Sequence, residues 1–286
     1  MLKFKTLILA CFLCLGASQF GFAQTPANNL MPDGSRDLYV GLGAIAQPRF
    51  EGAQDSHVSA MPVLQMQWSN GIFLAGMSAG MHLSERPSHE FGPLLSIEGR
   101  RSVSGNSSGL ACPRCNINPG IAGTTSKNGM NKLDGMNDIN PRVLLGGFYH
   151  QQLGSKWRWN NSLLAGAGNS QQGIRWNSEL RYAVTDFASH HHVTLSIGAN
   201  LVNQAYNQAY FGVTRAESLS SPNIMYTPSG GVKDVHAQLQ WNWALSSSWL
   251  ITSALDVSRL NGSAAASPLV EQVRNVSLSS ALAYRF

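Results

Sequence analysis

The sequence has 286 residues, of which 20 are Lys or Arg and 15 are Asp or Glu, so only 12% are charged. That share is about half the value usual for soluble domains, and 43% hydrophobic residues without long apolar runs argue against a helical membrane protein. The low net charge of +5 and the aromatic content also argue against a disordered chain. Abundant glycine and uncharged polar residues are typical of an all-β chain with two different faces.

The first 23 residues have the pattern of a secretory signal peptide. Lys3 and Lys5 form a basic start, residues 6–17 are apolar, and small residues precede a cleavage site after Ala23. An uncleaved anchor is the alternative, but the apolar stretch is short for a membrane span. A lipoprotein cysteine at Cys11 is rejected because the apolar stretch before it is shorter still. Cleavage lowers the net charge from +5 to +3, an excess too small and scattered to indicate nucleic-acid binding.

Beyond a short N-terminal segment, residues 24–37, apolar and polar residues alternate with period two. Clear examples are Ile174–Thr185, His192–Val202 and Asp234–Leu245, whose lengths suit tilted strands that cross a bilayer. The predicted strands are Leu38–Gln47, His57–Ser69, Ile72–Leu83, His89–Val103, Arg142–Leu153, Trp157–Gly168, Gly173–Asp186, His190–Val202, Val232–Leu245, Ser248–Leu260 and Val273–Phe286. Aromatic residues concentrate near the strand ends, as interfacial girdles require. The pattern therefore predicts an all-β fold, a transmembrane antiparallel β-barrel of the bacterial outer membrane.

The strand count and the loops follow from the closure of a barrel. Bacterial single-chain barrels have even numbers of strands, so we predict twelve, with ten as the alternative. The missing strand is expected within Asn203–Gly231, where Gln208–Arg215 is the candidate. The barrel then occupies residues 38–286. Long loops at 104–141, 203–231 and 261–272 are expected on the extracellular side.

Charged residues of the strands are expected to point into the lumen. Arg or Lys facing lipid at the bilayer midplane costs about 2–4 kcal/mol, so the outward face stays nearly free of charge. The inward set consists of Arg100, Arg175, Glu179, Arg181, Asp234, His236, Asp256 and Arg285. These residues are interpreted either as pairs that fill and brace the lumen or as the lining of a polar channel, and the sequence leaves both interpretations open.

The last strand has an outward face that ends in Leu282, Tyr284 and Phe286. An open strand edge cannot exist in lipid, so this strand must pair with the first one. A terminal aromatic residue with another aromatic two positions earlier resembles the C-terminal signal that the outer-membrane assembly machinery reads. We therefore expect export by the general secretory route, assembly by that machinery, and contact with outer-membrane lipid.

Two glycine motifs resemble enzyme signatures but fall in predicted strands. Gly76–Gly80 fits the G-x-S-x-G pattern, which requires a strand-to-helix turn, whereas here the strand continues to Leu83. Gly41–Ala46 fits a dinucleotide fingerprint, but Pro48 follows too soon for the helix that such a site needs. We predict that these glycines ease curvature or packing, and we predict no catalytic residue and no cofactor.

Two further motifs contain possible metal or redox ligands. Cys112 and Cys115 have C-x-x-C spacing but lie in a Gly- and Ser-rich loop, so an oxidising compartment favours a local disulfide. A zinc site normally needs four N or S ligands, and residues 104–141 contain no His. The run His190–His192 lies at a predicted turn, where metal binding is the alternative, but alternating directions separate the middle residue from the others. We therefore predict no metal site.

The C-terminal third carries the most specific resemblance to a known family. Its segments are Tyr210–Val213, Gly230–Asp234, Arg259–Val270 and Tyr284–Phe286. Together with residues 39–52, 99–101 and 133–139, they make the chain similar to the MipA/OmpV family from about Leu38 to Phe286. This is the family of MltA-interacting proteins and outer membrane protein V. The stretch between Arg101 and Leu133, which contains the cysteine pair, is longer than the family pattern.

The resemblance implies an outer-membrane barrel without catalytic residues. For one member it implies scaffolding, in which the barrel holds a lytic transglycosylase near a bifunctional murein synthase. Other members are linked to adhesion, osmotic response or antibiotic response. Two hypotheses follow: a non-enzymatic anchor or scaffold for a murein hydrolase and a murein synthase, and a pore for small polar solutes.

Overall fold

The computed structural model describes residues 31–84, 86, 88–103, 105–107, 131–166 and 173–286. The predicted signal peptide and the Cys112–Cys115 motif lie outside the described residues. The described strands are β1 (Arg36–Pro48), β2 (Ser56–Trp68), β3 (Ile72–Ala75), β4 (Ser78–Met81), β5 (His89–Glu98), β6 (Arg100–Ser102), β7 (Gly105–Ser107), β8 (Arg142–Gln152), β9 (Trp157–Gly166), β10 (Ile174–Ala188), β11 (His191–Val202), β12 (Gly231–Ala244), β13 (Trp249–Leu260) and β14 (Arg274–Arg285). The described helices are α1 (Gln204–Phe211), α2 (Arg215–Ser220) and α3 (Gly262–Ala265). None of these helices is long and apolar enough to cross a membrane.

Twelve strands form one closed antiparallel barrel, in the order β1-β14-β13-β12-β11-β10-β9-β8-β5-β4-β3-β2. The last strand closes the barrel against the first, with a register that runs from Tyr39 opposite Arg285 to Ala46 opposite Leu278. Strands β6 and β7 pair with each other in a separate two-stranded sheet. The predicted outer-membrane barrel and its twelve strands are thereby confirmed.

The twelfth strand lies elsewhere than predicted. The predicted strand Ile72–Leu83 is two short strands, β3 and β4, joined by a turn in which Gly76 adopts a φ of +56°. This left-handed conformation suits glycine, so the backbone reverses direction there. The hairpin spans only part of the wall: β2 pairs with β3 only over Gln65–Gln67 among the described residues.

The candidate strand Gln208–Arg215 is wrong, because this segment contains the second half of α1 and the first residue of α2. The Asn203 side chain accepts a hydrogen bond from the Tyr206 N–H and caps α1. Thr214 and Glu217 form a capping box at the start of α2. These side chains satisfy backbone N–H groups that have no partner within the helix, which favours a helical start at each position.

Alternation along each strand gives the barrel a polar inside and an apolar outside. On β11, Leu195 and Ile197 are 46% and 61% exposed, whereas the adjacent Thr194 and Ser196 are buried. The exposed side chains are those that would meet lipid, and the buried ones face the lumen. Unlike an ordinary soluble core, this barrel therefore buries its polar face.

The two ends of the barrel differ in the length of their connections. At the turn end, the connections are residues 69–71, 82–88, 153–156, 189–190 and 245–248. At the loop end, they are residues 49–55, 99–141, 167–173, 203–230 and 261–273, and the β3–β4 turn at residues 76–77 points the same way but lies partway along the wall. Outer-membrane barrels have short periplasmic turns and longer extracellular loops, so we expect the loop end to face outward.

Aromatic side chains cluster on the outer surface near the turn end. Trp249 contacts Tyr284, and Trp157 contacts Tyr182, with ring centroids 5.0 and 4.8 Å apart. His191 stacks on Trp241 and accepts a hydrogen bond from its Nε1, 3.0 Å away. These contacts have the character of an interfacial aromatic girdle.

Several loop-end connections pack into a cap with its own apolar core. One cluster consists of Phe50, Ala53, Leu133, Met136, Val213 and Leu269. A second joins Phe211 of α1 to Leu260 and to Ala264 of α3. The cap, defined here as residues 49–55, 131–141, 203–230 and 261–273, is therefore a packed structure over the loop end.

Candidate functional site

The candidate site is the polar face of the lumen together with the part of the cap that covers it. Five predicted lumen residues are buried on the inward face and contact one another or neighbouring charges: Arg175, Glu179, Arg181, Asp234 and His236. Strands β10 and β12 bring them into the lumen by the alternation described above. Their separation in the chain reaches about sixty residues, so barrel closure is required to bring them together.

Glu179 is the centre of the first group of contacts. Its Oε1 accepts a hydrogen bond from Arg181 Nη2 at 2.9 Å and lies 3.5 Å from Asn160 Nδ2. Its Oε2 lies 3.8 Å from His236 Nε2. A buried carboxylate is unfavourable without such partners, so these contacts stabilise its charged form in the lumen.

Asp234 joins this group to the cap. Its carboxylate accepts two hydrogen bonds from Asn200 Nδ2, at 2.9 and 3.1 Å, and its Oδ1 lies 3.1 Å from His236 Nδ1. Its Oδ2 lies 2.9 Å from Lys233 Nζ, which also lies 2.6 Å from Glu51 Oε1 in the β1–β2 loop. The ammonium group therefore connects a strand carboxylate to a cap carboxylate.

Sequence reasoning missed Lys233 because its position follows from a β-bulge. The register between β11 and β12 shifts between Asn200 and Leu201, which face Asp234 and Val232, respectively. Strict alternation from the inward Asp234 would turn Lys233 toward lipid. The bulge instead allows two successive side chains to be buried, and the Lys233 side chain is only 1% exposed.

The mouth cluster, defined as Glu98, Arg142, Arg175, Tyr206 and Tyr210, lies where α1 meets the barrel wall. Glu98 Oε2 accepts hydrogen bonds from Nε and Nη2 of Arg142, at 3.0 and 2.9 Å. Its Oε1 accepts hydrogen bonds from Arg175 Nη1 and from the Tyr206 hydroxyl, each at 3.0 Å. The Arg142 guanidinium carbon also lies 4.7 Å from the centre of the Tyr210 ring.

A further buried group lies closer to the turn end. Arg158 donates hydrogen bonds to Glu90, with Nη1–Oε1 and Nη2–Oε2 distances of 3.1 and 2.9 Å. His82 Nδ1 lies 3.4 Å from Glu90 Oε2, and the His82 ring packs against Phe73 and Phe148, which also contact each other. Sequence reasoning missed these residues, although the alternation of β5 and β9 would have placed Glu90 and Arg158 inward.

The remaining predicted lumen residues have different surroundings. Arg100 is not in the lumen, because β5 ends at Glu98 and Arg100 belongs to β6, where it pairs with the exposed Asp138. Asp256 lies on the inward face of β13 and is half-buried. Arg285 lies near the turn end, where its Nε donates to Asp37 Oδ1 at 2.6 Å.

The residues of the predicted assembly signal lie on the outward face of β14 and just beyond it. Leu282 is exposed on this face, and the Tyr284 ring packs edge-on against Phe286 with centroids 4.8 Å apart. Phe286 is 71% exposed, and its backbone N–H donates to Leu38 O at 2.9 Å. The aromatic pair therefore faces the bilayer side of the seam between β14 and β1.

The enzyme-like and metal-like motifs have structural roles in the described residues. Ser78 is the first residue of β4, and its Oγ lies 3.0 Å from Ser96 Oγ on the neighbouring strand. The predicted continuous strand through this motif is wrong, because a turn at Gly76 precedes Ser78. His190 adopts a φ of +69° in the tight β10–β11 connection, and His191 stacks on Trp241. No group of three His, Cys, Asp or Glu that could hold a metal ion occurs among the described residues.

Burial changes the pKa of several groups in the cap. Although the Glu51 side chain is 29% exposed, desolvation by its surroundings raises its pKa, and Lys233 opposes the shift. Burial and the nearby Glu98 charge raise the pKa of Tyr206 and Tyr210, so both hydroxyls stay protonated. Burial alone would raise the pKa of Glu217, but hydrogen bonds from Thr214 and the Asn137 N–H outweigh it and lower that pKa.

Within the described residues, the cap packs over the loop end of the barrel, and most charged side chains in the lumen are paired. Its charged groups neutralise one another in networks that join several strands, as expected of residues that brace a barrel. Polar side chains nevertheless line the inside over most of its circumference. The arrangement therefore suits a rigid, closed barrel and also retains the polar lining that a channel would need.

A sequence model of the family described as "MltA-interacting protein MipA" matches residues 40–286. A search of curated proteins gives no match. Among solved structures, the chain is similar to a KdgM porin, with 9% identity, 87% of this chain and 99% of that chain covered, and a TM-score of 0.41. An outer membrane channel from Pseudomonas putida F1 has 12% identity, 93% and 98% coverage, and a TM-score of 0.44. The translocator domain of the autotransporter NalP from Neisseria meningitidis has 10% identity, 90% and 91% coverage, and a TM-score of 0.45.

Proposed function

Because the chain belongs to the MltA-interacting protein (MipA) family, we propose that this outer-membrane barrel is a non-enzymatic anchor for murein-remodelling partners. The family's name points to an MltA-type murein hydrolase as the first partner, and the scaffolding hypothesis adds a murein synthase. The observation that carries the proposal is the braced lumen, in which buried charges pair across strands. A barrel stiffened in this way offers a fixed surface for a partner.

The turn end offers a docking surface for such a partner. We propose that this end faces the periplasm, where murein lies, as short turns do in other outer-membrane barrels. Three basic residues of this end are the exposed Arg36 at the start of β1, the exposed Arg86 in the β4–β5 connection and the half-buried Lys156 in the β8–β9 turn, against one exposed acidic residue, Asp33, among the described residues. Such a rim would attract an acidic surface of a periplasmic protein and would speed the encounter more than it would tighten the complex.

The test measures binding of purified MltA to the detergent-solubilised barrel at low and high salt. Charge reversal of Arg36, Arg86 and Lys156 to Glu should lower the association rate by about tenfold at low salt, because steering depends on charge. Reversal of Arg215, an exposed charge at the loop end, is the matched control and should have no effect. Failure of the wild-type barrel to bind MltA would contradict the anchoring proposal.

A pore for small polar solutes is the second candidate function. The polar, partly charged inward face favours it, because a lumen with no transport role could be filled by apolar side chains. Planar-bilayer recordings test this candidate directly. A complete absence of ion conductance, even after the residues that cover the mouth are replaced, would contradict it.

We also propose how the protein reaches its membrane. Export by the general secretory route, cleavage after Ala23 and insertion by the outer-membrane assembly machinery fit the basic and apolar start of the sequence and the aromatic end of β14. Mass spectrometry of the mature protein tests the cleavage site, since a mature N-terminus other than Gln24 would contradict it.

A further inference from the structure

Helix α1 lies across the mouth of the lumen and places two aromatic rings there. Tyr206 and Tyr210 are one helical turn apart, so they lie on the same face, and their ring centroids are 4.8 Å apart. The Tyr206 side chain is almost completely buried. Gly173, the residue before β10, lies so close that a β-carbon there would come within 2.9 Å of the Tyr206 Cα. Tyr206 and Tyr210 therefore pack against the barrel wall at the mouth.

One carboxylate links this aromatic pair to three strands of the barrel. Glu98 is the last residue of β5, and its partners Arg142 and Arg175 belong to β8 and β10. The Tyr206 hydroxyl donates to the same carboxylate, and the Arg142 guanidinium carbon lies 5.5 and 4.7 Å from the ring centres of Tyr206 and Tyr210. The Glu98 carboxylate is thus the common hydrogen-bond acceptor for β8, β10 and α1.

The rest of the cap is attached by other means. Phe211, on another face of α1, packs with Leu260 and Ala264, and Val213 belongs to the second apolar cluster of the cap. Loss of Glu98 would leave those apolar contacts in place. It would instead leave two buried guanidinium groups without their shared carboxylate and would remove the partner of the Tyr206 hydroxyl. The Tyr206–Tyr210 pair is therefore the part of the cap whose seating depends on Glu98.

We propose that Tyr206 and Tyr210 form a stopper that closes a conducting lumen, and that Glu98 holds this stopper in place through Arg142, Arg175 and the Tyr206 hydroxyl. This inference rests on the second candidate function, the pore, and goes beyond it by naming the residues that keep the pore closed. The solutes concerned are small and polar, because the side chains below the stopper are polar and charged. In this proposal the lumen opens when the two rings leave the mouth, while the cap remains attached through its apolar clusters.

The experiment compares ion conductance of the wild-type barrel and four variants in planar bilayers. The variants are Glu98→Gln, Tyr206→Phe, the double variant Tyr206→Ala with Tyr210→Ala, and Asp138→Asn as a control. Asp138 pairs with Arg100 at the same end but touches no residue of the stopper in the described contacts. Heat-dependent gel mobility, which distinguishes folded from unfolded barrels, verifies that each variant has folded.

The wild type and Asp138→Asn should be almost silent. Glu98→Gln should raise the time-averaged conductance about tenfold or more, because lost charge-assisted hydrogen bonds shift an equilibrium by at least that factor. The double alanine variant should conduct continuously, and Tyr206→Phe should give a smaller rise than Glu98→Gln. If Glu98→Gln does not fold, the Tyr206→Phe and double alanine variants still test the stopper.

The possible failures separate the stopper from the pore. A wild type that conducts as strongly as the double alanine variant overturns the stopper and leaves the pore function standing. Silence of every folded variant, including the double alanine variant, overturns the stopper and the pore together and leaves the anchoring function untouched. An equal rise in Asp138→Asn would also overturn the assignment, because any disturbance of the loop end would then open the lumen.

Discussion

Replacement of Lys233 by Met should destabilise the barrel by about 3 kcal/mol, at the lower end of the cost of breaking a buried ion pair. Met keeps the length and most of the volume of the side chain while removing its charge. In the native protein, Lys233 Nζ lies 2.9 Å from Asp234 and 2.6 Å from Glu51, and both the Lys233 and Asp234 side chains are 1% exposed. The substitution therefore leaves a buried carboxylate without its cation.

The structure sets the size of the effect. Asp234 keeps its hydrogen bonds from Asn200 and its contact with His236, so it loses only part of its stabilisation. Glu51 is 29% exposed and can turn toward water, so it adds little to the cost. By the same argument, Glu51→Gln alone should cost about 1 kcal/mol or less, the usual value for a solvent-accessible pair.

Urea unfolding of the refolded barrel in detergent micelles, followed by tryptophan fluorescence, measures these differences. The double variant Lys233→Met with Glu51→Gln completes a thermodynamic cycle, and the coupling between the two residues should be about 0.5–1 kcal/mol. A loss of unfolding free energy below about 1 kcal/mol for Lys233→Met would refute the reasoning, because removing the cation from a buried carboxylate destabilises a protein by more than that. A coupling of zero would show that Glu51 does not interact with Lys233 in solution.

Three further predictions concern the barrel seam, the cap and assembly. Gly43→Ala should lower the unfolding free energy by about 1–3 kcal/mol, because its new β-carbon would lie 2.3 Å from Ser280 O on the closing strand, whereas Gly147→Ala meets one atom at 3.2 Å and is the control in the same urea assay. The lowered pKa of Glu217 stabilises the cap above the ordinary pKa of 4.5, and that contribution disappears as the pH falls through the folded-state value. The protection of α2 amides, taken relative to their intrinsic exchange rate at each pH, should therefore fall at acidic pH in the wild type, while Glu217→Gln should show a flatter dependence; equal protection profiles would contradict this. Phe286→Ala should reduce outer-membrane levels in cells several-fold but change the urea midpoint of the purified barrel little, because Phe286 is 71% exposed; a loss confined to stability would exclude an assembly role.

Much of the wall was predictable because a strand between lipid and a polar lumen must alternate. The predicted segments Trp157–Gly168 and His190–Val202 agree with β9 and β11 within two residues at each end. At Ile72–Leu83 the same alternation gave a wrong prediction of one long strand. A hairpin whose two strands both alternate has the same pattern in the sequence. Gly76 was the local signal for the turn, but a glycine within an alternating segment also fits a continuous strand.

The helices of the cap were missed although the sequence contains a signal for one of them. Thr214 followed three residues later by Glu217 is a capping box, which marks the start of a helix. The even strand number of a closed barrel favours a twelfth strand in this segment and conflicts with that signal. The missing strand was supplied by β4, a four-residue element too short to be recognised by periodicity.

The candidate site was only half predictable for a different reason. Alternation shows that Arg175 and Glu179 point inward, but it does not show which charges from other strands they meet. The partner of Arg175 is Glu98, 77 positions away, and a hydroxyl from α1 completes that contact. Lys233 could not be found by alternation at all, because a bulge places it inward. Such positions depend on register and loop folding, which local sequence does not specify.

The β3–β4 hairpin pairs with β2 only over Gln65–Gln67. The first half of β2, nearer the loop end, is therefore a strand edge on that side in the described structure. Leu64 O accepts a hydrogen bond from the Gly76 N–H, 2.9 Å away, so the backbone groups of alternate residues beyond it face the same edge. Pro62 occupies the next such position and has no N–H to donate. Natural sheets use proline at edge positions to discourage pairing with a foreign strand, so we expect Pro62 to disfavour edge-to-edge association of two barrels at this position.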